Sequence, residues 1–137
     1  MTHRFEQLYE LDLPDDWIYV PDAEGGAAIP PGRDAVLHIH CEAVIDPSKL
    51  HNLSRMLAGF VTLHHKPVAT DQLLEMEWPE AIGFAWQYRD EEAHRAVRLW
   101  IVGHEEAWAF LNFQCPETRE PELRAQVDSI VKGFRLL

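Results

Sequence analysis

In the stretch AVLHIHCEAV, residues 35 to 44, apolar and polar side chains alternate. Leu37, Ile39, Cys41 and Ala43 fall on one side, and Val36, His38, His40 and Glu42 on the other. This period of two predicts a strand with one dry face. Asp46 then offers a helix cap, with Pro47 at the first helical position, where its missing N–H costs nothing. Leu50, Leu53, Leu57, Phe60, Val61 and His64 recur at helical spacing until Pro67 ends the run. From Leu73 to Cys115 the pattern returns to strands: LLEMEW, IGFAWQYR, HRAVRLWIVGH and AWAFLNFQC, joined by the short polar connectors PEA, DEEA and EE. Connectors this short predict an antiparallel meander. Both faces of these strands are substantially apolar, so the sheet needs cover on both sides. Thr118 is positioned to cap a last helix carrying Leu123, Val127, Ile130 and Val131, with Gly133 at its end and FRLL returning to the sheet.

The first third is more broken. Leu8 to Leu13 reads as an opening strand, PDD interrupts it, and Trp17 to Val20 resumes extended structure. Pro21, Gly25-Gly26 and Pro30-Pro31-Gly32 punctuate a loop-rich hairpin region. These glycines do not form a phosphate cradle, which would need a following Lys, a Ser or Thr and a helix N-terminus. The expectation is one α+β domain over residues 1–137: an antiparallel meander of about six strands flanked by helices on its faces.

This order of elements resembles the PsbP/Mog1-like fold, including the bacterial DUF1795 proteins. The matching residues are LPDDW near the start, the Asp46-Pro47 helix, the Trp-rich LWIVGHEEAWAFLNFQCP and the closing DSIVKGFRL. The resemblance implies an α/β/α sandwich and a role in binding partners without catalysis. Its members include photosystem II subunits, a Ran-binding protein and the chaperones of type VI secretion effectors. No functional motif of any one branch is present to carry over.

Composition narrows the partners. A formal charge of −11 over 137 residues repels nucleic acid and anionic membranes and leaves basic protein surfaces as suitable partners. MTHRFEQLYELDL contains no apolar run of a signal peptide, and no segment approaches the roughly 18 apolar residues of a membrane span. A cytoplasmic location is expected. Cys41 and Cys115 are expected to be reduced core residues.

Four constellations could carry chemistry. His38 and His40, two apart on one strand face, could give two imidazoles to a zinc ion, with His64 or His65 completing the set. Alternation puts Cys41 on the other face, and the two wet histidines are explained without a metal, so no metal or other cofactor is expected. His64 at a helix C-terminus suits the helix dipole. The acidic groups divide by topology. Asp90, Glu91 and Glu92 belong to one end of the meander, while His104, Glu105 and Glu106 belong to the other, near Glu77 and Glu80. That second rim is the candidate acid/base or cation site. Of the tryptophans at 17, 78, 86, 100 and 108, those in adjacent strands could form an aromatic floor: Trp86, Trp100 and Trp108 with Phe84 and Phe110. The leading expectation is a non-catalytic, chaperone-like module presenting this apolar sheet face to a protein partner or to a second copy of itself. A small metal-dependent or acid/base hydrolase and a small-molecule carrier are the alternatives.

Overall fold

Ten strands and two α-helices stand among the described residues. The computed structural model describes residues 1–44 and 52–137. The strands are β1 (Thr2–Phe5), β2 (Tyr9–Asp12), β3 (Ile18–Pro21), β4 (Gly25–Ile29), β5 (Val36–Ala43), β6 (Leu74–Trp78), β7 (Ala81–Asp90), β8 (Arg95–Gly103), β9 (Ala107–Pro116) and β10 (Arg135–Leu136). The helices are α1 (Leu53–His64) and α2 (Glu120–Gly133). Seven strands form one antiparallel sheet in the order β3-β4-β5-β9-β8-β7-β6. The expected meander of about six is therefore a seven-stranded sheet, enlarged by the β3–β4 hairpin. A separate three-stranded sheet, β1-β2-β10, takes the returning FRLL segment, which does not rejoin the main sheet.

The alternation read from residues 35–44 is present in β5. Leu37, Ile39 and Cys41 are buried, whereas His38 is exposed and His40 half-buried. On the same face as Leu37, the main sheet meets α2 and the small sheet. There Leu123, Val127, Ile130 and Val131 of α2 pack into a core that includes Tyr9, Trp100, Leu111, Phe113 and Phe134. Each such side chain contributes about 1.5–3 kcal/mol when fully buried. The opposite face carries a second core, with Leu53, Leu57, Ala58 and Val61 of α1 packed on Val97, Leu99 and Ile101 of β8. The helical spacing of Leu53, Leu57, Phe60, Val61 and His64 is thus realised in α1. The Asp46-Pro47 cap and Leu50 lie outside the described residues.

The start of α2 differs from expectation. Its N-cap is Arg119, and Thr118 belongs to a short 3-10 turn, Glu117–Arg119, with no side-chain cap bond. Arg119 has a longer reach than a cap. Its Nη1 donates to Asp34 Oδ1 at 2.8 Å and its Nη2 to the Pro31 carbonyl at 3.2 Å, fastening the helix to the Pro30–Gly32 turn. Gly32 is needed there: its φ is +93°, and a Cβ would meet Arg119 Nη1 at 2.7 Å.

Candidate functional site

Along β6 the side chains of Leu74 and Met76 point to the α2 side, opposite Ala85 and Gly83 of β7, which present almost no side chain there. On the next strand Trp100 stands beside Ala85. Small residues between large ones leave a groove. Helix α2 does not fill it, because its apolar stripe is drawn toward the sheet centre and the small sheet. The result is a hollow of about 800 Å³ between α2 and the sheet edge, floored by Leu74, Met76, Ala85 and Trp100 and walled by Asp128 and Val131. Leu74 is 65% exposed, whereas Trp100 is 3% exposed.

The polar groups of the groove are mostly engaged already. Arg98 Nη2 donates to Asp128 Oδ1 at 2.5 Å, and the guanidinium carbon lies 4.8 Å from the centre of the Trp100 ring, a cation–π stack. Its Nη1 is buried without an acceptor. Arg124 pairs with Glu120 at 2.7 Å and donates to Gln87 Oε1 at 3.2 Å. Lys132 has no ion-pair partner among the described residues.

The expected polar rim does converge. Glu77, Glu80, His104, Glu105 and Glu106 surround a second hollow of about 830 Å³ with Trp78 and Ile82. Asp90, opposite Arg95 in the β7–β8 register, lies at the far end of the sheet. Within the rim His104 has little left to offer a substrate. Its Nδ1 accepts the N–H groups of Glu106 (3.1 Å) and Ala107 (3.2 Å), which leaves the ring proton on Nε2, donated to the main-chain oxygen of Leu137 at 3.2 Å. This imidazole is a clasp for the β8–β9 hairpin.

The other expected sites are dispersed. His40 sits between two carboxylates, with Nδ1 3.1 Å from Glu24 Oε2 and Nε2 3.1 Å from Glu42 Oε1. His38 shares its face, Cys41 lies buried on the opposite one, and His64 packs on the Phe60 ring at 4.3 Å. Among the described residues no three His, Cys, Asp or Glu side chains group as a metal site would.

The proposed aromatic floor is divided by the sheet. Phe84, Trp86, Trp108 and Phe110 lie on the α1 side, where Phe60 of α1 packs on Phe110 at 4.8 Å. Trp100 lies on the α2 side, because it is Ala85, and not Trp86, that stands opposite it. The groove residues Leu74, Met76 and Ala85 were not singled out from the sequence, although the alternation in LLEMEW and the small residues of β7 were visible there.

Burial raises the pKa of the Cys41 thiol to about 12, and those of Cys115, Tyr9, Tyr19 and Tyr88 above their ordinary values. Thiols held protonated are poor nucleophiles. No helix among the described residues is long and apolar enough to cross a membrane.

Solved structures share this architecture. The solution structure of cyanobacterial PsbP (CyanoP) from Synechocystis sp. PCC 6803 superposes with a TM-score of 0.64 at 12% identity, covering 96% of this chain and 88% of that one. The chain has a PsbP/Mog1-like fold. LpqN, involved in cell envelope biogenesis of Mycobacterium tuberculosis, matches this chain with a TM-score of 0.63 at 16% identity, over 93% of this chain and 82% of its own. A Bacteroides thetaiotaomicron structure matches with a TM-score of 0.64 at 14% identity over 95% of this chain, which spans 45% of the length of that protein. No family model and no curated protein matches the sequence. At these identities the likeness establishes the PsbP/Mog1-like fold alone.

Proposed function

We propose that the chain is a non-catalytic module that holds an apolar segment of another protein in the groove between α2 and β6. One observation carries this reading: an open apolar groove beside a free sheet edge, with Leu74 65% exposed at its mouth. Exposed apolar surface set among polar residues is the mark of an interaction site. A chaperone-like role suits such a site, since an unassembled apolar segment needs cover. Acid/base hydrolysis at the rim is disfavoured by His104, whose two ring nitrogens are both engaged.

A hydrophobic dye tests the groove. The folded chain should bind the dye saturably, and Leu74→Glu, a change at an exposed position, should weaken binding about tenfold while leaving the melting temperature within a few degrees of the parent. Dye binding unaffected by Leu74→Glu would overturn the reading. Light scattering run alongside identifies the occupant if the groove is closed by a second copy: the chain would then dimerise, and Leu74→Glu would return it to a monomer.

A further inference from the structure

We propose that the segment held in the groove is extended, adds to the sheet as a new strand along β6, and alternates apolar with basic residues. This rests on the groove being the binding site and specifies what it accepts. Among the described residues strand β6 is the last in its sheet, hydrogen-bonded to β7 on one side only, so its other edge presents backbone groups with no partner strand among them. The groove runs along that same edge. A strand laid there would gain main-chain hydrogen bonds and, through its period of two, drop every second side chain into the groove.

Charge complementarity defines the other half of the segment. Glu75 and Glu77 are both exposed, alternate to the face of β6 opposite Leu74 and Met76, and have no ion-pair partner among the described residues, with Glu77 standing where the groove meets the rim. Next to them stand Glu80, Glu105 and Glu106 on the rim. On the groove side, by contrast, Arg98 and Arg124 are already matched by Asp128 and Glu120, and Lys132, unpaired among the described residues, repels a basic side chain there. Apolar side chains therefore suit the groove side, and lysine or arginine suits the side facing Glu75 and Glu77. Opposite charges directly across a strand pair are favourable, and like charges are not. The same rule disfavours a second copy of β6 as the added strand in its centred register. Antiparallel self-pairing centred on Met76 would set Glu75 against Glu77, in a protein whose formal charge is already −11.

Three labelled peptides of about six residues test this by fluorescence anisotropy on the whole chain. One alternates valine with lysine, one alternates valine with glutamate, and one is the lysine peptide with its alternate amides N-methylated to remove the donors on one edge. The lysine peptide should bind about tenfold tighter than the glutamate peptide. Its N-methylated form should bind more weakly by a similar factor, which simple attraction between basic peptide and acidic protein would not produce. The double variant Glu75→Lys/Glu77→Lys should reverse the preference between the two charged peptides. Equal binding of both charged peptides, an unchanged preference in the double variant, or an N-methylated peptide that binds as well as its parent would each overturn the inference. If the dye still reports a groove sensitive to Leu74→Glu, the groove reading survives and only the strand geometry falls. If the dye reports none, both fall together.

Discussion

The indole Nε1 of Trp78 donates to the carbonyl oxygen of Val131 at 2.9 Å, joining the end of β6 to the last turns of α2 across the sequence. This bond fixes one end of the groove, because it holds the helix at a set distance from the edge strand. Trp78→Phe keeps an aromatic six-membered ring and loses the donor together with the rest of the indole. The Val131 carbonyl also accepts from the N–H of Phe134 at 3.1 Å, so it is not stranded. The variant should lose about 0.5–1.5 kcal/mol in urea denaturation, together with a measurable fall in dye affinity. An unchanged dye affinity would mean that the bond does not shape the groove.

Trp100, 3% exposed and stacked under Arg98, should behave as core. Trp100→Ala is expected to cost about 3–5 kcal/mol by chemical denaturation. A cost under roughly 1 kcal/mol would place its side chain in solvent.

Two glycines should respond in opposite directions to alanine. A Cβ at Gly83 would lie 1.9 Å from the Ile101 carbonyl oxygen and 2.9 Å from the Trp78 ring, so Gly83→Ala must displace backbone and should destabilise by about 1–3 kcal/mol or more. Gly59 sits inside α1 with nothing within 4 Å of such a Cβ. There the same change should stabilise by about 0.5–1 kcal/mol, through helix propensity alone. Thermal melts of the two variants side by side would test both expectations.

The buried acids set an alkaline limit. The Cys41 thiol is raised from 9.0 to about 12 by burial, and the Tyr9 hydroxyl, 2.7 Å from that of Tyr19, is raised too. A pKa raised in the folded state means that the unfolded chain loses its proton first as pH rises. The stability these groups contribute is therefore whole below about pH 9 and drains away between pH 9 and 12. Denaturation midpoints should fall through that window, and thiol reagents should label Cys41 only as fast as the protein opens. Rapid labelling of both cysteines in the native state at pH 8 would contradict the burial.

His40, engaged by Glu24 and Glu42, and exposed His38 should not hold zinc. Purified protein should carry no stoichiometric zinc, and chelator should leave the melting temperature unchanged. One tightly bound equivalent that disappears in His38→Ala would reverse this assignment.

Where alternation was strong and connectors short, the fold could be read directly: β5 and β6 to β9 stand where residues 35–44 and 73–115 suggested. Strand β4 was hidden because GGAAI has no β-branched residue before its last and reads as a turn. Its glycines serve close packing instead, since a Cβ at Gly26 would meet the Tyr19 ring at 2.7–2.9 Å. THRF in β1 lacked an apolar pattern. The aromatic grouping erred for a different reason. Alternation says which residues of one strand share a face, but only register says which face of the next strand matches it. One position of register separates Trp100 beside Trp86 from Trp100 beside Ala85. The groove was illegible for a related reason: it exists by virtue of what α2 leaves uncovered, and no local pattern encodes an uncovered surface.

The three-stranded sheet has a consequence in time. Tyr9 pairs with Leu136 and Glu10 with Arg135, so β2 and β10 are joined across nearly the whole sequence, and Tyr9 packs on Phe134 with ring centres 5.3 Å apart. Contacts between distant positions are entropically costly and form late. During synthesis the α1-side core can assemble as soon as β9 emerges, while the α2-side core stays open until residues 134–136 arrive to close it. Until then Leu11, Phe113 and the floor of the groove share one continuous apolar surface, and the nascent chain is most exposed to association just before its last residues arrive.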